Sequence, residues 1–345
     1  DKQLSYWEEK LTGLNALRLP LDYARPAVQS VSGATLSFEL DNALTADINA
    51  LSQHEGVTAF MTLLAAYKLR LSRYSGQQDV CVGTPIAKRT QKEMEGMIGF
   101  FVNTLALRTE VKEDASFQAL LQAVKQTTLG AYDHQQIPFE NVVERVVKTR
   151  DMSMTPLFQT LFVLQNIQDA GNIEMDGLTL STYEEQGQET SKFDLTMTIG
   201  EVGGTYVVNV NYCTDLFRQE TIERMMAHFQ KLLTAAVATP SIQLSDLTTL
   251  SNEEQRKLLE DFNDTVVSYP VEKTVIDLIE EQVTKTPEAT AIVYEGTTLS
   301  FQELNERANQ LAGYLTDQGI RPEDLVGICI NRSLEMIVGI LGILK

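Results

Sequence analysis

Residues 195–212 read L-T-M-T-I-G-E-V-G-G-T-Y-V-V-N-V-N-Y, and this stretch decides the fold class. Apolar and polar side chains alternate at its beginning, Gly203 and Gly204 then interrupt the pattern, and alternation resumes from Tyr206 to Tyr212. Period-two alternation on both sides of a glycine turn is typical of a β-hairpin with one buried face. We therefore expect a sheet whose strands include this hairpin.

Helical and strand patterns both occur before and after the hairpin. Apolar residues at helical spacing predict helices over residues 57–74, 116–133, 139–147 and 218–237. Strands are predicted around Leu36 to Leu40 and over Leu161 to Leu164. This mixture predicts an α/β fold for the first two-thirds of the chain.

The composition changes near Ala238. The following stretch contains Pro240 with several Ser and Thr residues and little periodicity, which is typical of a linker. Ser251 and Glu254 have the spacing of a capping box, and the helix that they open is expected to extend to about residue 262. We therefore expect a linker over residues 239–270.

The last 75 residues return to alternating helix and strand patterns. The pattern predicts helices at 274–285, after a capping box of Ser300 and Glu303, and at the end of the chain, with strands at 289–294 and 325–330. This order suggests the beginning of a second α/β domain over residues 271–345, after a first domain over residues 1–238. Both ends are expected to lie inside a longer protein.

The net charge argues against two classes of partner. The chain has 345 residues, with 28 Lys and Arg against 47 Asp and Glu, for a net charge of −19. Nucleic acids and anionic membranes both require basic patches. The apolar run Met336 to Leu344 is shorter than the ~20 residues of a membrane span. The three cysteines have no metal-site spacing, and we expect reduced, buried thiols in a cytoplasmic protein.

Local chemical motifs alone do not reveal a function. His54, His134 and His228 are far apart, and the sequence contains no nucleophile elbow and no glycine-rich nucleotide loop. We predict no metal site and no catalytic residue within this chain. His134 lies between two predicted helices, just before Pro138, where a structural contact with the backbone is favoured over a catalytic role.

Longer strings of sequence, however, closely resemble motifs of the condensation domains of nonribosomal peptide synthetases. These strings are I-G-F-F-V-N-T-L-A-L-R (98–108), H-Q-Q-I-P-F-E (134–140), R-D-M-S-M-T-P-L-F-Q-T-L-F-V-L-Q-N (150–166), S-Y-W-E-E-K-L (5–11) and K-F-D-L (192–195). Farther along, residues 299–312 resemble the first core motif of adenylation domains, and L-G-I-L-K (341–345) resembles the opening of the second. Several motifs in family order make the resemblance specific.

The resemblance implies a fold and a reaction. Condensation domains consist of two lobes that resemble chloramphenicol acetyltransferase, so we expect an αβ sandwich lobe, a linker and the beginning of an α/β adenylate-forming domain. The family joins an acyl thioester to an aminoacyl thioester, each carried on phosphopantetheine, to form an amide. Adenylation domains activate an amino acid with ATP and Mg. The implied partners are the N-terminal condensation lobe, carrier domains and the remainder of the adenylation domain.

The family's H-H-x-x-x-D-G motif is absent, because no two histidines are adjacent in this sequence. We therefore expect the C-terminal lobe of a condensation domain, inactive by itself, that binds no cofactor. By resemblance, five residues are predicted to lie along the substrate channel: Asn103, Thr104, His134, Gln165 and Asn166. For Asn103, Thr104, Gln165 and Asn166, the alternative is that the side chains only satisfy backbone groups.

Two positions depart from the family pattern, and two other functions stay open. Gln136 stands where relatives usually have Asp, and Met154 stands where they usually have Arg. Any ion pair that those residues make in relatives would be missing here. One alternative is a cyclisation or epimerization domain of the same fold. The other is a non-catalytic platform that binds carrier domains and orients neighbouring domains.

Overall fold

The computed structural model describes residues 2–88, 93, 96–99, 101–165 and 189–345. The chain forms two compact units, Asp1–Leu258 and Leu259–Lys345. In the first unit the helices are α1 (Lys2–Leu11), α2 (Asn42–His54), α3 (Ala59–Ser75), α4 (Phe117–Asp133), α5 (Phe139–Val146), α6 (Gln219–Ala238) and α7 (Asn252–Leu259), which ends at the boundary. The strands are β1 (Gly33–Glu39), β2 (Asp79–Ala87), β3 (Val102–Glu110), β4 (Thr160–Gln165), β5 (Leu195–Val202) and β6 (Thr205–Cys213).

The six strands form one mixed sheet in the order β1-β6-β5-β4-β2-β3. The predicted hairpin is confirmed, since β5 and β6 pair antiparallel over their full lengths. Its turn places Gly203 and Gly204 at φ 59° and 84°, a left-handed conformation that residues with a Cβ rarely adopt. The strand β2 runs parallel to β4, and β4 runs parallel to β5. The sheet is therefore mixed, in agreement with the α/β fold that the sequence predicted.

The helix α3 lies inside the first unit, with every residue from Met61 to Ser72 buried. Its Lys68 donates hydrogen bonds from Nζ to the Leu107 carbonyl at 2.6 Å and to the Thr109 hydroxyl at 2.8 Å, both on β3. Burial lowers the pKa of Lys68 to about 7, because the charged form loses its hydration. One face of the sheet is thus closed by a helix that is buried on all sides.

The opposite face of the sheet, called here the second face, is covered near β2 and β3. Ala106 and Arg108 alternate with the residues that face α3, and Arg108 Nη1 donates to the carbonyls of Lys10 and Thr12 at the end of α1. At Gly83 a Cβ would lie 2.2 Å from the Phe158 ring, so the aromatic ring packs directly on the strand. The helix α1 also packs against α5, which completes this cover.

The second unit is smaller and has its own hairpin. It contains α8 (Val275–Lys285), β7 (Thr290–Tyr294), β8 (Thr297–Ser300), α9 (Phe301–Asp317) and α10 (Leu334–Leu344). The two strands pair antiparallel, and the predicted capping box of Ser300 and Glu303 opens α9. The buried side chains of its core are Leu304, Ala308 and Leu341.

Most predicted elements are found within a few residues, but one strand and one thiol are not as predicted. Residues 325–330 form no strand, and none of the described strands pairs with their backbone. Cys329 lies in this segment and is exposed, whereas Cys81 and Cys213 are buried as predicted. None of the helices in the described ranges has the length and apolar character needed to cross a membrane.

Candidate functional site

Asn103 joins two of the quoted motifs at the edge of the sheet. Its Nδ2 donates to the carbonyls of Gln135 and Ile137 at 2.9 and 2.8 Å, and its Oδ1 accepts from the Phe139 N–H at 3.1 Å. The residue is 8% exposed, so its amide is desolvated and these bonds replace its contacts with water. Asn103 therefore holds the turn of residues 134–139, where the chain passes from α4 to α5.

His134 anchors the start of this turn. Its Nδ1 lies 2.8 Å from the Gly130 carbonyl, which only accepts, so Nδ1 carries the proton. The imidazole ring of His134 stacks on the Tyr6 ring, with the ring centroids 3.9 Å apart and the planes inclined by 6°. The backbone carbonyl of His134 accepts a hydrogen bond from Trp7 Nε1 at 2.9 Å. The bond to the Gly130 carbonyl is the kind of backbone contact expected for a structural His134, whereas the stacking on Tyr6 was not predicted; together these contacts fasten α1 to the turn.

A glycine makes the stacking possible, and a lysine adds a further contact to the turn. A Cβ at Gly130 would lie 2.7 Å from the Tyr6 hydroxyl, so a larger residue there would displace the ring. Burial raises the pKa of Tyr6, and the nearby Asp133 raises it further.

Lys88 Nζ donates to the Gln136 carbonyl at 2.6 Å. This bond uses the backbone, so it does not depend on whether Gln or Asp occupies position 136.

Thr104 and Gln165 lie apart from this turn. Thr104 follows Asn103 on β3, so its side chain points to the second face. Gln165 ends β4, is exposed, and lies in register with Gly200. Since β2 and β4 are parallel and Thr104 pairs with Pro85 near the end of β2, both residues lie at the same end of the sheet.

The structure thus brings together only part of the predicted set. Asn103 and His134 meet around one turn, whereas Thr104 and Gln165 share a face and an end of the sheet. Asn166 lies outside the described residues. The role of these five residues along a substrate channel stays a prediction.

A cavity of about 850 Å³ lies beside α5. Its apolar lining includes Leu14, Leu17, Val143, Val146 and Leu157, and it has the size of a typical small-molecule pocket. Met154, one of the two departures from the family pattern named in the sequence analysis, is also in the wall. Leu157 has φ 69°, a conformation that is unusual for a branched side chain and marks a constrained wall.

An ion pair beside this cavity was not predicted from the sequence. Arg25 Nη1 donates to Asp194 Oδ1 at 2.9 Å, Nη2 donates to Oδ2, and Nη1 also reaches the Ser153 carbonyl at 3.3 Å. The bond to the Asp194 carboxylate raises the pKa of Arg25. The pair joins two quoted motifs, because Asp194 belongs to K-F-D-L and Ser153 to the string at 150–166. The K-F-D-L motif was the available sequence signal for Asp194, but Arg25, the partner of Asp194, lies 169 residues away in the chain.

Residues 240–254 pack against the rest of the first unit. Leu244 and Leu247 are buried, and the 244 N–H donates to the Ala115 carbonyl at 2.8 Å. Glu254 accepts from His228 Nε2 at 2.9 Å, while His228 Nδ1 lies 2.7 Å from the Tyr74 hydroxyl. Because Nε2 donates to a carboxylate, the matching tautomer of His228 accepts a hydrogen bond from the Tyr74 hydroxyl at Nδ1. These contacts fix the beginning of α7 on α6.

The described residues contain no group of His, Cys, Asp and Glu side chains that could hold a metal ion. The second unit also lacks the parts of a nucleotide site. Its sequence contains no glycine-rich loop, and Asp277 and Glu303 are engaged in capping boxes with Thr274 and Ser300. The described residues of the second unit therefore supply no phosphate-binding loop for ATP.

Comparisons with known proteins agree with the motif strings. Residues 1–259 match the family described as Condensation domain, and residues 279–345 match the family described as AMP-binding enzyme. Gramicidin S synthase 2 of Aneurinibacillus migulanus is 44% identical over 100% of this chain and 8% of its own length. Tyrocidine synthase 3 of Brevibacillus parabrevis is 46% identical over 99% of this chain and 5% of its own length. The chain therefore spans less than a tenth of these two relatives.

Solved structures show the same fold. The crystal structure of a four-domain nonribosomal peptide synthetase bound to AMP and glycine has a TM-score of 0.82 and 26% identity, over 99% of this chain and 27% of that one. The X-domain from teicoplanin biosynthesis has a TM-score of 0.66 and 24% identity, over 72% of this chain and 57% of that one. The second likeness concerns the fold alone.

Proposed function

Because the chain belongs to the condensation-domain family, with the beginning of an AMP-binding enzyme after it, we propose that it works as part of a nonribosomal peptide synthetase. Residues 1–238 form the C-terminal lobe of a condensation domain, 239–270 form a linker, and 271–345 begin an adenylation domain. The observation that carries this proposal is the fastening of the turn at 134–139 by Asn103, since it joins two family motifs into one piece.

The proposed reaction is aminolysis of a thioester. The amine nitrogen of a carrier-bound aminoacyl group attacks the carbonyl carbon of a carrier-bound acyl donor. The new C–N bond forms, the C–S bond breaks, and the departing phosphopantetheine sulfur receives the proton that the amine loses. Holding both thioesters in a fixed geometry lowers the entropic part of the barrier.

In this reaction the chain supplies one rigid wall of the substrate channel rather than the reacting groups. The general-base motif of the family does not occur in this sequence, so we assign no catalytic residue here. The proposed partners are the N-terminal condensation lobe, the carrier domains and the remainder of the adenylation domain, which uses ATP and Mg. We place the activity in the cytoplasm, where buried thiols such as Cys81 and Cys213 stay reduced.

A second function is favoured by the docked segment 240–254. A linker that is packed on the lobe through Leu244 and Leu247 would orient the next domain and give carrier domains a fixed platform. This role is compatible with amide formation, and it is the function that remains if the isolated chain binds a carrier without turnover.

The test measures amide formation between two loaded carrier domains. The synthetase that contains this chain should form the amide, and the 345-residue chain alone should not. Asn103→Ala in the synthetase should slow amide formation and leave amino-acid-dependent ATP–pyrophosphate exchange unchanged. Asn15→Ala, at an exposed position of the same unit, is the matched control. Turnover by the isolated chain, or adenylation as the only reaction of the synthetase, would overturn the proposal.

A further inference from the structure

The part of the second face formed by β1, β6 and β5 carries an ordered set of uncharged polar side chains. Two rows cross the three strands, and together they are called here the polar grid. The rows are Thr35–Asn211–Thr196 and Ser37–Asn209–Thr198. In each row the residues are direct register partners, so their side chains stand on one face as neighbours.

The polar grid differs from the covered part of the same face. Near β2 and β3 the face bears Gly83 beneath Phe158 and is closed by apolar packing. On the polar grid, by contrast, the residues on β5 and β6 are half-buried and those on β1 are exposed. The described residues therefore leave this half of the face accessible, and its composition is suited to hydrogen bonding rather than to apolar packing.

The side chains of the polar grid keep hydrogen-bonding capacity. Ser37 Oγ donates to Asn209 Oδ1 at 2.6 Å, and Asn211 Nδ2 donates at 3.3 Å both to Thr35 Oγ1 and to the Thr190 carbonyl, so Asn211 keeps its Oδ1 as an acceptor. Within the described ranges, nothing accepts from Asn209 Nδ2, and the hydroxyls of Thr196 and Thr198 have no partner side chain. The grid thus presents neutral donors and acceptors together, although the chain carries a net charge of −19.

This chemistry is complementary to peptide groups, which are neutral and present one N–H and one C=O each. The grid spans three strands at a spacing of about 4.8 Å, so it is about 10 Å wide, and its rows are about 7 Å apart. An extended chain advances about 3.4 Å per residue, so the width matches two or three residues. A single amino acid would leave most of the grid unused.

We propose that the polar grid binds the peptide groups of the growing donor chain while its thioester is attacked. This inference rests on the proposed function. The donor is favoured over the acceptor because only the donor has several consecutive peptide groups, whereas the acceptor is a single aminoacyl group. Asn209 and Asn211 are the central contacts, since each lies in the middle of a row.

The experiment compares two donors in the synthetase that contains this chain. Amide formation is measured with a carrier-bound tripeptidyl donor and with a carrier-bound single aminoacyl donor, against one acceptor. Asn209→Ala with Asn211→Ala should lower the rate with the tripeptidyl donor about tenfold, the expected effect of losing contacts to two amide side chains. The rate with the aminoacyl donor should change less than about twofold.

Two further variants serve as controls. Thr196→Val with Thr198→Val keeps the side-chain shape and removes two hydroxyls, so it should produce a smaller loss with the same donor preference. Glu201→Gln, at the exposed end of β5, should affect neither donor. With the unchanged enzyme, a tripeptidyl donor whose amides are N-methylated should react as slowly as the normal donor does with the double Asn variant.

The outcomes separate the two levels of the proposal. An equal loss with both donors would mean that the grid packs against another part of the synthetase, and no loss would mean that the donor does not touch it. Self-association of the chain that the double Asn variant abolishes would make a second copy the occupant. Each of these results overturns the inference and leaves the proposed function standing. Failure of the unchanged synthetase to join either donor overturns the proposed function itself.

Discussion

The two units of the chain differ in how completely similar sequence patterns are buried. The helices α4 and α9 both have 17 residues and an amphipathic pattern. In α4 six residues are buried, whereas in α9 only Leu304 and Ala308 are buried. The comparison teaches that regular periodicity identifies a helix and its apolar face, but that burial depends on what the rest of the fold places against that face. We expect the first unit to unfold at higher denaturant concentration than the second.

The largest effect is expected from the aromatic ring on Gly83. Phe158→Ala removes a side chain that is 1% exposed, so the first unit should lose about 3–5 kcal/mol of stability. Denaturant unfolding, with hydrogen exchange to distinguish the units, should show that only the transition of the first unit moves. Tyr314→Ala, at an exposed position in the second unit, is the control. A shift of both transitions would show that the units unfold together.

The next effect depends on pH. Folding lowers the pKa of Lys68 from 10.5 to about 7, so between these values the unfolded chain binds a proton that the folded chain has lost. Stability of the first unit should therefore rise with pH in this window, and Lys68→Met should remove that rise. The difference in unfolding free energy between the two proteins should change by about 2 kcal/mol from pH 7 to 9. Denaturation at several pH values measures it, with the exposed Lys112→Met as control; parallel pH profiles would contradict the prediction.

A smaller effect is expected at Asn103. Asn103→Ala leaves two carbonyls and one N–H of the turn without their partner, which should cost about 2 kcal/mol. Hydrogen exchange at residues 135–139 should accelerate more than exchange in the sheet. Asn15→Ala should change neither quantity. If exchange at the turn were unaltered, Asn103 would not be what holds it.

The smallest effect is expected in the second unit. Ser300→Ala removes the N-cap of α9, which should cost about 1 kcal/mol. The transition of the second unit should shift to lower denaturant concentration while that of the first unit stays in place. Thr297→Ala, at an exposed position of β8, provides the comparison. An unchanged second transition would mean that α9 does not limit the stability of this unit.

Local features of the fold could be predicted from the sequence, because their determinants are neighbours in the chain. The hairpin around Gly203 and the capping boxes at Ser251 and Ser300 are all found in the structure. The apolar run at 325–330 looked equally strand-like, but a strand also requires a partner, and the described strands provide none. The family followed from long motif strings, which single residues could not have indicated.

The contacts of the candidate site could not be predicted in the same way. Asn103 binds residues 32 to 36 positions away, and Arg25 binds Asp194 across 169 positions. The polar grid depends on the register of three strands, and its members look in the sequence like ordinary solvent-facing positions. Such sites are created by topology, so they become visible only when the pairing of the strands is known.

The packing of residues 240–254 has a practical consequence for engineers who exchange parts between synthetases. A junction placed at Ala238 would replace Leu244 and Leu247 with foreign residues, and the buried sites that these two leucines fill would lose their matching side chains. A junction placed after Leu258 keeps both leucines and the bond between His228 and Glu254 with the first unit that they stabilise. Hybrids joined at the later position should therefore express and fold better than hybrids joined at the earlier one.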